Sequence, residues 1–366
     1  MLHLSLPARA AAAAVTLWSL ATPLHAQGQS VTIGGPLEGE AKTLTGAGAT
    51  FPAPLYQKWF SDYAALTGVQ VNYQAIGSGG GIKGIQDKTV DFAASDAPMT
   101  DEQLQAAKGG PIVHIPTALG AIVATYNVPE ASDQLKFTGD TLAGIFLGDI
   151  QKWNDPRLVA DNPGLAGVDQ DIVVVHRSDG SGTTFGFTDY LSTVSPSWQQ
   201  TVGKGTSVNW PVGLGGSGNP GVAGEVQQDP YSIGYVELIY AVQNNLPYGL
   251  VQNSSGAWIN PDLNSITAAA SSASQSIPAD LRFSIVNAPG ADAYPVCTAT
   301  WLLAYTSMTD RAKGLALTRV LWWATHDAQK VNASLIYATV PSEITNKSEQ
   351  FIRQISVDGK PIFPGR

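Results

Sequence analysis

The sequence predicts an α/β fold of two lobes joined by two crossings. Three observations carry this. Short β-branched or alternating runs are repeatedly followed by Gly/Ser/Thr turns and then by apolar residues at helical spacing. The middle of the chain has strands and a Gly-rich loop of its own. A late apolar run, Pro295 to Leu303, then leads back toward the first set of elements before a final long helix. At 366 residues the chain is long enough for two full cores, and 38 Gly, 23 Pro and only 13% charged residues indicate an ordered, loop-rich protein.

Taken in order, residues 1–26 read as an export signal: Arg9, the small apolar stretch Ala10 to Val15, Leu17-Trp18-Ser19-Leu20 and a cut after Ala26. A membrane anchor is the alternative, but the run is short for a span. Residues 27–43 are polar and Gly-rich and read as a mobile leader. A strand reaching Gly46–Phe51 meets Pro52, suited to the first turn of a helix, and Leu55, Trp59, Phe60, Tyr63 and Leu66 then keep helical spacing. Val69 to Ile76 alternates as a strand and runs through Gly77-Ser78-Gly79-Gly80-Gly81 into a helix near Ile82 to Gln86. Val90 to Asp96 is a short strand ending in an acid. Ile112 to Pro116 and Gly120 to Tyr126 are extended and apolar, and read as a crossover.

Residues 118–294 form the second lobe in this reading, with strands Ile172–Val175 and Ile233–Val236 and the loop Gly213 to Gly218. Lobe I comprises 44–117 and 295–366 and ends in a helix rich in Leu315, Leu317, Val320, Leu321, Trp322 and Trp323.

The net charge is −9, and removing residues 1–26 takes it to −10, since that segment holds one arginine and no acid. An acidic surface disfavours nucleic acid and anionic lipid as partners. Cys297 is the only cysteine, which excludes an internal disulfide, and its apolar setting suits a packed hydrophobe better than a reactive thiol. Of five histidines two lie in the signal, and His114, His176 and His326 lack metal-ligand spacing.

The most informative stretch is Arg177-Ser178-Asp179-Gly180-Ser181-Gly182-Thr183-Thr184, between the run Ile172-Val173-Val174-Val175 and the helical-looking Phe185 to Leu191. Strand, Gly/Ser turn and helix start place unpaired N–H groups and the positive end of a helix dipole at one point, beside an arginine. Gly48-Ala49-Thr50-Phe51 and Ile76-Gly77-Ser78-Gly79 are similar junctions. One such junction alone is ordinary helix capping, but three in an α/β chain point to an anion site at the carboxyl ends of the strands. Asp179 can pair with Arg177 structurally while the remaining guanidinium donors face an anion. His176 should point to the opposite face of its strand. Asp96 has two readings: a solvated strand-end acid, or an acceptor for the proton of an anion such as hydrogen phosphate, which would reject sulfate.

Four ordered motifs carry a family resemblance: Leu44 to Pro54, Gly77-Ser78-Gly79-Gly80-Gly81, Val90 to Pro98 and Asp179-Gly180-Ser181-Gly182-Thr183. Weaker echoes are Lys152-Trp153-Asn154-Asp155-Pro156, Trp210 to Gly216 and Gly234-Tyr235-Val236-Glu237. From about Leu44 onward the chain closely resembles the periplasmic phosphate-binding proteins (PstS type) of phosphate ABC transporters. The resemblance implies a two-lobed periplasmic binding protein fold (type II) with two hinge crossovers. It implies phosphate contacts from Thr50, Phe51, Ser78 and Asp96 in one lobe and Arg177, Ser181, Gly182 and Thr183 in the other. Phe51 and Gly182 would give backbone N–H groups, Asp96 would accept the ligand's proton and Asp179 would steady Arg177. At Gly79 many relatives have a second serine, so a secondary contact is absent here.

The expectation is therefore a soluble, exported, periplasmic and monomeric receptor. It takes up inorganic phosphate, with arsenate as a second candidate, and hands it to the membrane permease of an ABC importer. No enzymatic activity, cofactor, metal or nucleic acid is expected. Two rivals stand beside it. Gly79 to Gly84 satisfies G-x-G-x-x-G after a strand, the mark of a dinucleotide site, though the pattern is weak in so glycine-rich a chain. Ser181 beside Arg177 suggests a phosphate-ester hydrolase, but there is no G-x-S-x-G elbow and no histidine placed as its base.

Overall fold

The computed structural model describes residues 1–3, 31–273 and 277–363. Apart from its first three residues, the export signal expected over 1–26 lies outside the described residues, as do residues 27–30 of the leader. Among the described residues no helix is long and apolar enough to cross a membrane.

The body starts with β1 (Thr43–Gly48), α1 (Ala53–Thr67), β2 (Gln70–Ala75), α2 (Ser78–Gln86) and β3 (Phe92–Ser95). The long strand β4 (Ile112–Asn127) follows, then β5 (Val173–Arg177), α3 (Gly182–Val194), β6 (Leu214–Gly216), α4 (Gly218–Gln228) and β7 (Ser232–Glu237). The chain closes this framework with β8 (Cys297–Tyr305) and α5 (Arg311–Thr325). The eight strands form one sheet in the order β2-β1-β3-β8-β4-β7-β5-β6. β1 pairs parallel with β2 and β3, and β5 parallel with β6 and β7. The intervening strands β8 and β4 run antiparallel to their neighbours. Parallel pairs need helical crossovers, so each outer half of the sheet carries its own helices.

β4 joins the halves. Residues Ile112 to Ala121 pair with β8, and Ile122 to Asn127 pair with β7. The two apolar pieces read from the sequence are thus one buried strand of 16 residues. Thr117 is the extra residue at a register shift, since Trp301 faces Pro116 while Thr300 faces Ala118. A bulge suits the place where Pro116 supplies no N–H to the ladder. Thr117 Oγ1 bonds to Tyr56 OH at 2.6 Å and donates to the Thr300 carbonyl at 3.1 Å.

α1 matches its sequence signals. Pro52 stands at its start, Gly68 ends it at φ 73°, and Leu55, Tyr56, Trp59, Phe60 and Tyr63 form its buried face. α2 departs from expectation by beginning at Ser78, with Gly79, Gly80 and Gly81 inside the helix. A glycine there costs helix stability, about 1 kcal/mol against alanine. The close approach of helix and strand requires it: a Cβ on Gly81 would lie 2.6 Å from the Gly48 Cα.

Each half has an aromatic core. Tyr56, Phe60, Tyr73 and Phe92 interlock in the first, and Phe146, Phe187, Trp210 and Tyr235 in the second. Cys297 is fully buried and its thiol is pushed upward by burial alone. The leader expected to be mobile is instead anchored at two points between largely exposed residues: Ile33 and Glu40 are buried, and Glu40 pairs with the buried Arg319 of α5. Arg319 Nη2 also donates to the carbonyls of Gly34 and Gly35 at 2.9 and 2.8 Å.

Candidate anion site

The carboxyl ends of β1, β2, β3 and β5 and the N-termini of α1, α2 and α3 converge at one place between the two halves of the sheet. Thr50, Phe51, Ser78, Asp96, Arg177, Ser181, Gly182 and Thr183, all named from the sequence, are all buried, and Arg177 is only 4% exposed.

From the first half, Thr50 lies in the turn between β1 and α1, and Phe51 follows it. Their carbonyls accept the hydroxyls of Tyr240 and Tyr337, each at 2.6 Å. Ser78 opens α2 after Gly77, which takes φ 90°. Ser78 Oγ accepts from the Asp96 N–H at 3.2 Å and donates to Asp96 Oδ2 at 3.4 Å. Asp96 therefore is not a solvated strand-end acid. It is 1% exposed, and among the described residues its Oδ1 has no hydrogen-bond partner. Burial pushes its carboxyl up to about 7 from the ordinary 3.8, with Thr300, Arg177 and Ser78 pulling weakly the other way. Thr300 Oγ1 lies close enough to be felt, but it too lacks a bond of ordinary geometry.

From the second half, Arg177 ends β5. Its Nε donates to Asp179 Oδ1 at 2.7 Å, and its Nη2 pairs with Oδ2 of the same carboxylate. Asp179 Oδ1 also accepts from the Gly218 N–H at 2.9 Å. Burial opposes ionisation of Asp179, but its bonds to Arg177 and that cation's charge hold the carboxyl below its ordinary value. The Nη1 edge of Arg177 reaches Thr183 Oγ1 at 3.4 Å. Ser181 caps α3, its Oγ accepting from the Thr184 N–H at 3.0 Å and its carbonyl from the Phe185 N–H at 3.0 Å; the Gly182 and Thr183 N–H groups precede these bonds in the same first turn. Tyr235 braces this side from below, its hydroxyl bonded to the Arg177 N–H and to Thr184 Oγ1. His176 instead stacks on Trp210 at 4.9 Å, on the other face of its strand.

The two sides touch. The Gly79 N–H donates to the Gly180 carbonyl at 2.9 Å. A Cβ on Gly182 would stand 2.5 Å from Ser78 Oγ and 2.6 Å from Asp96 Oδ2, and one on Gly77 would stand 2.3 Å from Asp179 Oδ2. The glycines read from the sequence as aids to ligand approach are here the residues that let the two halves meet.

Four residues at the site were not read from the sequence. Asn219, second in α4, donates through Nδ2 to Thr50 Oγ1 at 2.9 Å and Thr183 Oγ1 at 3.1 Å, one from each half. Glu237, at the end of β7, is fully buried and pushed well above its ordinary range by burial; its Oε2 accepts from the Ile239 N–H and lies 3.2 Å from the Tyr337 hydroxyl. Tyr240 and Tyr337 complete the set. The loop Gly213 to Gly218 just before Asn219 was the available signal, as a fourth strand–turn–helix junction. Among the described residues no group of three or more His, Cys, Asp or Glu side chains is arranged to hold a metal ion.

Two α/β halves whose strand ends and helix starts face each other over a buried arginine define a two-lobed binding protein built around an anion. Residues 34–320 match the family model of the PBP superfamily domain. The chain is 43% identical over 331 residues to the phosphate-binding protein PstS of Xylella fastidiosa strain 9a5c, covering 90% of each. It is 46% identical over 310 residues to the phosphate-binding protein PstS of Haemophilus influenzae, covering 84% of this chain and 91% of that one. The crystal structure of a phosphate-binding protein from Stenotrophomonas maltophilia shares the fold, with a TM-score of 0.65 at 18% identity over 85% of this chain and 94% of that one. The chain belongs to the PBP superfamily and, within it, to the PstS phosphate-binding proteins.

Proposed function

We propose that this chain is an exported receptor that captures inorganic phosphate between its two lobes and delivers it to an ABC importer. The observation that carries this reading is the pairing of opposites at one buried point. Arg177 and the first turn of α3 supply positive charge and N–H donors, and Asp96 Oδ1, buried and unpartnered among the described residues, stands on the other side. A carboxylate facing an anion is tolerable only with a proton between them. Hydrogen phosphate brings that proton, and sulfate does not. The names of the PstS relatives agree with the ligand.

In this reading Thr50, Phe51, Ser78 and Asp96 hold the ion from lobe I (44–117 with 295–366), and Arg177, Ser181, Gly182 and Thr183 from lobe II (118–294), with Asp179 supporting Arg177. Residues 1–26 direct export to the periplasm, and the receptor works as a monomer on a membrane permease. Arsenate, with the same geometry and similar protonation, is a second ligand. No bond is made or broken in the ligand. Isothermal titration of the mature chain with phosphate, arsenate and sulfate tests this: one-to-one uptake of phosphate with sulfate far weaker is expected. Equal affinity for sulfate, or steady release of phosphate from a chromogenic ester, would overturn it.

A further inference from the structure

Asn219 is fully buried in the first turn of α4, and it joins the two sides of the anion site without belonging to the contacts named above. We propose that Asn219 is a positioning residue that sets the hydrogen-bond polarity of the Thr50 and Thr183 hydroxyls, leaving each able only to donate. The proposal rests on the phosphate-binding reading.

The network fixes its own orientation. The backbone N–H of Glu237 lies 2.9 Å from one side-chain atom of Asn219, and a backbone N–H can only donate, so that atom is Oδ1. Nδ2 must then face the threonines, with one hydrogen for each. Thr50 Oγ1 accepts twice, from the Asn219 backbone N–H at 3.1 Å and from Nδ2 at 2.9 Å. Thr183 Oγ1 also accepts twice, from Nδ2 at 3.1 Å and from Arg177 Nη1 at 3.4 Å. A hydroxyl has two lone pairs and one hydrogen. With both lone pairs engaged, each threonine keeps only its hydrogen, and the oxygens of an anion are its natural acceptors. Ser78 differs, because its hydroxyl already donates to Asp96. Asn219 thus presents two oriented donors, one from each lobe, before the ion arrives, which lowers the ordering cost of binding.

The test compares two substitutions in the full mature chain, titrated with inorganic phosphate. Asn219→Ala leaves both hydroxyls free to donate and should weaken binding by about tenfold or less. Asn219→Asp sets acceptors against both hydroxyls and should weaken binding at least about tenfold further, the scale of one charge-assisted hydrogen bond. In a Thr50→Val/Thr183→Val background the gap between Ala and Asp should shrink severalfold. Equal affinities of Asn219→Ala and Asn219→Asp, or a gap unchanged in the valine background, would overturn the proposal; the second result would mean that the aspartate acts through charge alone. If the variants do not fold, neutron diffraction of the unsubstituted phosphate complex decides: the deuterons on Thr50 and Thr183 should point at ligand oxygens, and either one pointing at Asn219 overturns it. An unsubstituted chain that takes up no phosphate overturns the underlying reading, and this is seen before any substitution is made.

Discussion

Gly182 and Asp96 face each other so closely that a Cβ on the glycine would fall 2.6 Å from Asp96 Oδ2. One residue opens α3 and the other directly follows β3, so this contact is made between the two halves of the sheet and not within either. Gly182→Ala should leave each half folded, with the melting temperature little changed, yet hold the halves apart by the width of a methyl group. Phosphate affinity should fall by about a hundredfold or more, the scale at which small misplacements of a binding group are felt. Calorimetric titration beside a thermal melt checks both parts.

Asp96→Asn replaces an acceptor by an amide that can donate. Phosphate binding should weaken and sulfate binding strengthen, narrowing the selectivity ratio by at least about tenfold. A competition titration that finds the ratio unchanged would remove Asp96 from the selectivity argument.

The raised pKa of Asp96 has a sign in stability. The folded chain holds the proton up to about pH 7, whereas the unfolded chain releases it near the ordinary 3.8. Stability from this group is therefore fully present below pH 3.8 and is lost as pH rises through 7. Without ligand, Asp96→Asn should be more stable than the unsubstituted chain at about pH 8, by roughly 1–3 kcal/mol, and the gain should vanish toward about pH 4. Thermal melts across that range measure it, and a pH-independent difference would show that Asp96 does not titrate there.

Arg177→Ala removes the buried cation of the site and leaves Asp179 half-buried without that partner, so binding should fall by about a thousandfold or more. Arg177→Lys keeps the charge but cannot span Asp179 and an anion together, and it should recover only a small part. Recovery to near-native affinity with lysine would mean that charge alone is required there.

Salt offers a separate check. With a net charge of −9 the whole molecule does not attract an anion, and the local donors at the site are buried. Added sodium chloride should leave phosphate affinity unchanged or raise it slightly, since it screens the unfavourable overall field. A steep loss measured by titration would mean that long-range attraction contributes.

The parts of the site that could be read in the sequence are those whose chemistry is local. Strand, glycine, hydroxyl residue and helix occur within eight positions at Arg177–Thr184, and the structure brings together every residue named on that basis. The parts that could not be read depend on distant partners. Tyr337 reaches the Phe51 carbonyl from 286 positions away, and Asn219 reaches Thr50 across 169. The same holds for the leader, read as mobile from its polar, Gly-rich composition, because the Arg319 that Glu40 pairs with lies 279 positions further on. Asp96 was ambiguous because a strand-end acid and a buried acceptor have the same local sequence. The glycines of α2 were taken for a turn because the backbone of β1, which they make room for, is not visible in their own segment.

The continuity of the sheet through β4 and β8 has a mechanical consequence. At Ala121 and Ile122 the ladder passes from one half to the other without a break, and Ile122 still donates to the Val296 carbonyl at 2.8 Å. Relative movement of the halves cannot then be a free swing on a floppy tether. It must be spread as torsion along two hydrogen-bonded strands, which resist shear and bending but yield to twist. Any opening of the two halves would on this geometry keep their register, so that a return would bring the same atoms face to face.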